Sequence, residues 1–296
     1  MKKVFTYLRY KYYYWLGKRN PQKLVSLRYR RTFGVDMNWD NPVTLNEKIN
    51  WLKFNSDTSV WSLLADKYRV REYVESKGFK DALVKLYGKW DKAEDIDWDN
   101  LPNQFVMKVN NGSGDILVCR DKTKLDIDKV TKTFAKHLKK GFGYSTGEPH
   151  YKPIPPCIIA EELLDPTKQP IESTSLIDYK IWCFNGEPEC VWACYDRTNK
   201  SVKVATYDLS WNCHPEYSVY IGHYQKAEKL IPRPKSLEKM LQMAAALSQG
   251  FPQVRVDLYE VDNKPYFGEM TFTSNMGLMN FYTSEYLIYL GSKVKI

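Results

Sequence analysis

Two short apolar runs near the end of the chain restrict its fold more than any other stretch. They are Val254-Arg255-Val256-Asp257-Leu258-Tyr259 and Tyr266-Phe267-Gly268-Glu269-Met270-Thr271. The link between them, Asp262-Asn263-Lys264-Pro265, is made of turn formers, so the pair reads as a β-hairpin. Side chains alternate across a strand, which lets Asp257 and Glu269 share one face, with Arg255 two residues before Asp257 on that same face. Neighbouring carboxylates repel unless a cation separates them. Hard oxygen ligands of this kind suit Mg²⁺, which commonly takes one or two carboxylates and completes its shell with nucleotide phosphates. Standing alone, the hairpin has a second, weaker reading as a surface ribbon with three solvated charges.

The surrounding chain mixes helices and strands without regular βαβ alternation, which predicts an α+β fold. Residues 1–60 read as mainly helical. Thr44 with Glu47 three residues on forms a capping box ahead of Leu45 to Phe54. A second helix is expected from Asp66 to Lys77, ended by Gly78, and further helices over 126–140 and 237–249. Strands are expected at 83–88, 104–109, 116–119, 157–164, 177–184 and 190–195. With 296 residues, 43% of them apolar, the chain is long enough for two lobes. The expected organisation is a helical basic segment (1–60), the first part of the core (61–102), a central lobe (103–160) and a C-terminal lobe with the metal site (161–296).

No apolar run approaches the ~20 residues of a membrane span. The six cysteines form no C-x-x-C pair and read as free thiols of a reduced, cytoplasmic protein. The net charge of +9 is unevenly spread. Residues 1–31 hold ten Lys or Arg, no acid, and eight aromatics. Such a segment suits an acidic polymer or an anionic membrane face, or else packs its rings on the body. No module for specific nucleic-acid recognition is present.

Four further features accompany the hairpin. Lys108 ends a strand and is followed by Asn110-Asn111-Gly112-Ser113-Gly114-Asp115, a glycine-rich loop whose amides can approach phosphate oxygens while the lysine neutralises their charge. Lys67, in Ala65-Asp66-Lys67, offers another cation. The apolar run Ile158-Ile159-Ala160 ends in Glu161-Glu162-Leu163, a segment suited to meet an adenine and its ribose through backbone groups and a carboxylate. Asp178 and Lys180 alternate on one strand face, and Arg197 follows the next strand.

In this order the residues resemble the ATP-grasp superfamily, in which two α+β lobes hold ATP between them. The resemblance narrows with Asn46-Glu47-Lys48-Ile49-Asn50-Trp51-Leu52, Ala65-Asp66-Lys67-Tyr68, Leu101-Pro102 to Gly114, Asp178-Tyr179-Lys180 with Phe184-Asn185-Gly186, and Arg255-Val256-Asp257-Leu258-Tyr259 to Phe267-Gly268-Glu269. Together these look like the teichuronopeptide-biosynthesis (TupA-like) ATP-grasp family of bacterial surface-polysaccharide loci.

The resemblance implies cofactors ATP and Mg²⁺. Lys67 and Lys108 would contact phosphates, covered by Asn111, Gly112, Ser113 and Gly114. Glu161, Glu162 and Leu163 would meet the adenosine, and Asp178 would line the nucleotide site. Asp257 and Glu269 would hold metal, and Lys180, Arg197 and Arg255 would neutralise the moving phosphoryl group. One position departs from the family's Glu-x-Asn: Glu269-Met270-Thr271 offers only the Thr271 hydroxyl, or Asn275 beyond it, to a second ion. The implied reaction is amide formation between a hexuronic acid of a polysaccharide, lipid-linked sugar or nucleotide sugar and an amino acid. A sugar kinase and a non-catalytic glycan-binding protein are the alternatives.

Overall fold

The structure is a computed structural model that describes residues 2–112 and 114–296. Helices come first. Helix α1 (Lys2–Arg19) meets α2 (Pro21–Phe33) at Asn20, whose side chain accepts from the Lys23 amide. Helix α3 (Leu45–Asn55) starts at the expected capping box: Thr44 Oγ1 accepts from the Glu47 amide, and the Glu47 carboxylate accepts from the Thr44 amide at 2.8 Å. After α4 (Ser59–Leu64), the helix expected from Asp66 starts later, as α5 (Val70–Ser76). Asp66 Oδ1 takes the amide protons of Tyr68 and Arg69 and holds the chain in a turn there.

The smaller sheet contains β1 (Leu86–Trp90), β2 (Phe105–Val109), β3 (Ile116–Cys119) and β4 (Ile158–Glu161), in the order β1-β4-β2-β3, all antiparallel. Alternation divides β2. Phe105, Met107 and Val109 join Phe134 of α6 (Ile127–Leu138) in one core, which leaves Val106 and Lys108 on the opposite face with Ile159 and Glu161 of β4. Because β1 belongs to this sheet, the lobe begins at Leu86, earlier than the boundary at 103 that the sequence suggested.

The larger sheet contains β5 (Asp178–Phe184), β6 (Glu187–Tyr195), β7 (Val202–Tyr207), β8 (Tyr224–Lys226), β9 (Gln253–Val261) and β10 (Lys264–Thr271), ordered β10-β9-β5-β6-β7-β8. Only the β7/β8 pair is parallel among the described residues. Strands β7 and β8 went unread in the sequence. Helix α7 (Leu237–Ser248) covers one face, where Met240, Met243, Ala244 and Leu247 share a core with Ile181, Cys183, Val254 and Val256. That core also takes in Leu45, Ile49, Leu52, Trp61 and Leu64, so α3 and α4 are built into the larger lobe rather than appended to it. Helix α8 (Ser284–Lys293) packs beside α3. The face of β5 and β9 away from α7 carries Asp178, Lys180, Arg255 and Asp257.

Candidate active site

The β9/β10 hairpin closes through Asp262 and Asn263, both left-handed (φ 54° and 59°), a two-residue turn that Asn and Asp tolerate. Pairing from Lys264↔Val261 to Phe267↔Leu258 would by continuation set Gly268 against Asp257. A bulge intervenes, so Glu269 is the residue opposite Asp257. A Cβ on Gly268 would lie 2.9 Å from the Asp257 carbonyl oxygen and 3.1 Å from the Tyr259 ring. The register that brings both acids to one face therefore requires glycine there.

The cation expected between the acids is supplied by the chain. Arg255 donates to Asp257 through Nε and Nη2, both at 2.7 Å, and its Nη2 lies 4.0 Å from Glu269. Lys180, opposite Asp257 in the β5/β9 pair, bridges Asp257 and Asp178 at 2.5 Å each. Asp257 is 1% exposed. Burial alone would lower the pKa values of Lys180 and Arg255, but Asp178 and Asp257 around the first, and Asp257 above all around the second, raise both. Burial raises Asp178 despite Lys180, and its Oδ1 is buried with no hydrogen-bond partner. For Glu269, burial would raise the pKa, but Lys67, Lys180, Arg255 and Lys108 outweigh it and bring the group down to about 2.

Lys67 reaches this cluster from the Asp66 turn. Its amide donates to the Asn110 carbonyl at 3.1 Å, which ties the turn to the end of β2. Its Nζ lies 3.5 Å from Glu269 and donates to the Gly112 carbonyl at 2.7 Å, so it touches both β10 and the glycine loop. Lys108 pairs with Glu161 across β2 and β4 at 2.5 Å. Asn111 is buried at the start of the loop, and Gly114 is exposed with φ 84°. Ser113 lies outside the described residues. Asp115 closes the loop with contacts to His137 and Lys140 at the end of α6.

Other expected members make no ion pair with the Asp257 cluster among the described residues. Arg197 is exposed just past β6, and its amide donates to Ser175 Oγ; no ion pair draws its side chain to the Asp257 cluster. Glu162 is exposed, and its amide is taken by the Lys85 carbonyl. Leu163 is half-buried beside it. Asn275 is left-handed, and its side chain donates to the Leu278 carbonyl at 2.6 Å.

The oxygens facing the cleft fit a magnesium–phosphate complex. Glu269 is ionised and 39% exposed, and the Thr271 hydroxyl donates to it at 3.4 Å. Asp257 already carries two cations and would join an ion by exchanging one of them. Among the described residues no group of three or more His, Cys, Asp or Glu converges. The site therefore suits a hard ion that keeps water and phosphate in its shell, not an all-protein cage.

Several contributors escaped the sequence reading. Arg71 joins Lys108 on Glu161 at 3.1 Å and donates to the Val84 carbonyl. Ser274 Oγ accepts from Arg255 at 2.5 Å. The turn carrying Ser274 runs through three consecutive left-handed residues, Asn275, Met276 and Gly277, and is gripped from outside. Lys53 donates to the Met276 carbonyl, Asn50 to the Gly277 carbonyl, and Thr273 to Glu148. Tyr151 lies among Glu148, Glu269, Arg255 and Asp257, and its phenol is pushed well up by burial, then by Glu148 and Glu269. The asparagine–lysine spacing on α3 (46, 50, 53) was a readable signal of a polar helix face; Arg71 and Tyr151 gave none.

A lysine pair, a glycine loop and an acid pair on a β-hairpin, on a small antiparallel sheet and a larger, mostly antiparallel one, are the features by which the sequence resembles the ATP-grasp class. The chain belongs to the TupA-like ATP-grasp family, whose model matches residues 47–295. No curated protein matches its sequence. Among solved structures it is similar to D-alanine–D-alanine ligase from Bacillus anthracis, with 16% identity, a TM-score of 0.39 and coverage of 71% of this chain and 57% of that one. It is also similar to the D-cycloserine synthetase DcsG (13% identity, TM-score 0.43, 80% and 72% coverage) and to the ATP-grasp ligase PsnB with its minimal precursor (10%, 0.43, 84% and 67%). The chain thus spans a little over half the length of the first of these.

Proposed function

We propose that the protein is an ATP- and magnesium-dependent carboxylate–amine ligase of bacterial surface-polysaccharide assembly. It would join the carboxylate of a hexuronic acid to the amine of an amino acid. The observation that carries the reading is the meeting of Lys67, Lys180, Arg255, Asp257 and Glu269, drawn from four separate segments, at one cleft. Magnesium, when bound, neutralises phosphate oxygens and polarises the γ-phosphoryl group. Lys67 and Lys108 bind phosphate charge, and Glu269 with Thr271 presents oxygens to the ion. Lys180 and Arg255 are fixed in the charged state by Asp178 and Asp257, so they offset charge on the transferring group without reorganising.

A sugar carboxylate oxygen bonds to the γ-phosphorus as the bond to ADP breaks, which leaves an acylphosphate. The neutral amine then bonds to the acyl carbon. The bond to phosphate breaks, and the amine's proton leaves with the phosphate. The test incubates the protein with ATP, Mg²⁺, uronic-acid oligosaccharides and amino acids one at a time. The expected result is ADP and free phosphate in equal amounts, with a product mass lower by one water than its two components. A sugar phosphoester without free phosphate would replace this reading with a kinase.

A further inference from the structure

The site leaves α1 unused. Its C-terminal end is anchored: Leu16 is buried, Gly17 sits where a Cβ would meet the Tyr144 carbonyl oxygen at 1.8 Å, and Lys152 donates to the Gly17 carbonyl. Tyr14 packs on Tyr144 with ring centroids 5.2 Å apart. Val4, Leu8, Tyr12 and Trp15 recur at helical spacing on another side, with Phe5 beside them, and all are exposed, Phe5 by 69%, Leu8 by 56% and Trp15 by 48%. Cations lie beside and on this stripe: Lys11 lies over the Tyr7 ring at 5.5 Å, and Arg19, four residues past Trp15, ends the stripe and lies over the Trp15 ring at 4.8 Å. The first turn holds no acid, so the positive end of the helix dipole has no partner of opposite sign within its own turn.

We infer that α1 docks the protein on a bilayer surface containing anionic phospholipids. An unpaired apolar stripe, interfacial Trp and Tyr, and ten cations with no acid across residues 1–31 are what such a surface recognises. The aliphatic members decide between membrane and acidic polysaccharide. Val4 and Leu8 gain nothing from a hydrated sugar chain but are removed from water at the acyl boundary. Long basic side chains beside them keep their charges at the headgroups. The anchored end of α1 abuts residues 144–152, the segment that carries Tyr151 to the cleft, so docking would hold the cleft near the surface. This inference does not depend on the identity of the reaction.

Flotation of the full chain with vesicles tests it. Wild type should float with phosphatidylcholine vesicles containing phosphatidylglycerol and not with phosphatidylcholine alone. The triple change Phe5→Ser, Leu8→Ser, Trp15→Ser keeps every charge and should lower the partition coefficient at least about tenfold, with an unchanged melting temperature because these side chains are exposed. Lys11→Glu with Arg19→Glu should do the same. Absence of wild-type flotation with anionic vesicles would overturn the inference. So would equal flotation of the serine variant, or displacement by soluble polygalacturonate, either of which would mark a general polyanion surface.

Discussion

Asp257 and Glu269 face each other across the hairpin yet stand in different electrostatic positions. Asp257 is buried with two cations, whereas Glu269 is open to the cleft. Removing one partner of a buried ion cluster leaves uncompensated charge, so Asp257→Asn should cost about 3–5 kcal/mol in urea unfolding as well as activity. Glu269→Gln should cost about 1 kcal/mol or less while lowering magnesium-dependent ADP formation at least about a hundredfold. Equal stability losses in the two variants would contradict the distinction.

His150 gives a second test at this scale. It is 1% exposed, neither ring nitrogen has a hydrogen-bond partner, and burial, helped by Lys53, lowers its pKa to about 3. The unfolded chain takes up the proton near pH 6.5, and the folded chain refuses it until about pH 3. Stability is therefore full above 6.5 and declines as the pH falls through that window, by up to about 1.4 kcal/mol per pH unit. Urea melts of His150→Phe should show a shallower decline between pH 6 and 4 than wild type, and parallel curves would refute the assignment.

At the scale of elements, the β9/β10 bulge governs the site. Gly268→Val would drive a side chain into the Asp257 carbonyl oxygen and the Tyr259 ring. The expected outcome is a loss of about 2 kcal/mol or more, with loss of nucleotide turnover because Glu269 no longer sits opposite Asp257. Paired unfolding and ADP-release assays check both parts. The hairpin itself, the Thr44 capping box and helix α6 were legible from the sequence, since each is written in local periodicity and turn residues. The bulge was not, because nothing local reveals which residue pairing skips. Lys180 facing Asp257 was equally hidden. It depends on β5 inserting between β9 and β6, a pairing of strands about 75 residues apart in sequence that local signals do not encode.

For the whole molecule, the clearest departure from the sequence reading lies in the first 64 residues. Helices α3 and α4 lie in the main core, and Asn46, Asn50 and Lys53 hold the turn after β10. Composition had suggested a basic appendage because the charge of residues 1–31 masks the apolar face that follows. Lys53 is buried, and burial lowers its pKa to about 8. Lys53→Met should retain the fold but loosen the Met276 turn behind Ser274 and Arg255, reducing kcat more than KM; an effect on KM alone would argue against positioning. Arg197, placed at the site by order along the chain, is exposed just past β6 and makes no ion pair with Asp257 or Glu269 among the described residues; order alone does not fix the partners of a side chain past a strand end.

The proposed magnesium nucleotide would lie in a single cleft between the two sheets. Calorimetric titration with a non-hydrolysable ATP analogue and Mg²⁺ tests this most directly, using wild type, Lys108→Ala from the smaller sheet and Glu269→Gln from the larger. The predicted result is a single site in the wild type, with affinity at least about tenfold weaker in each variant and magnesium dependence lost in Glu269→Gln. Undiminished, magnesium-dependent binding in both variants would contradict it.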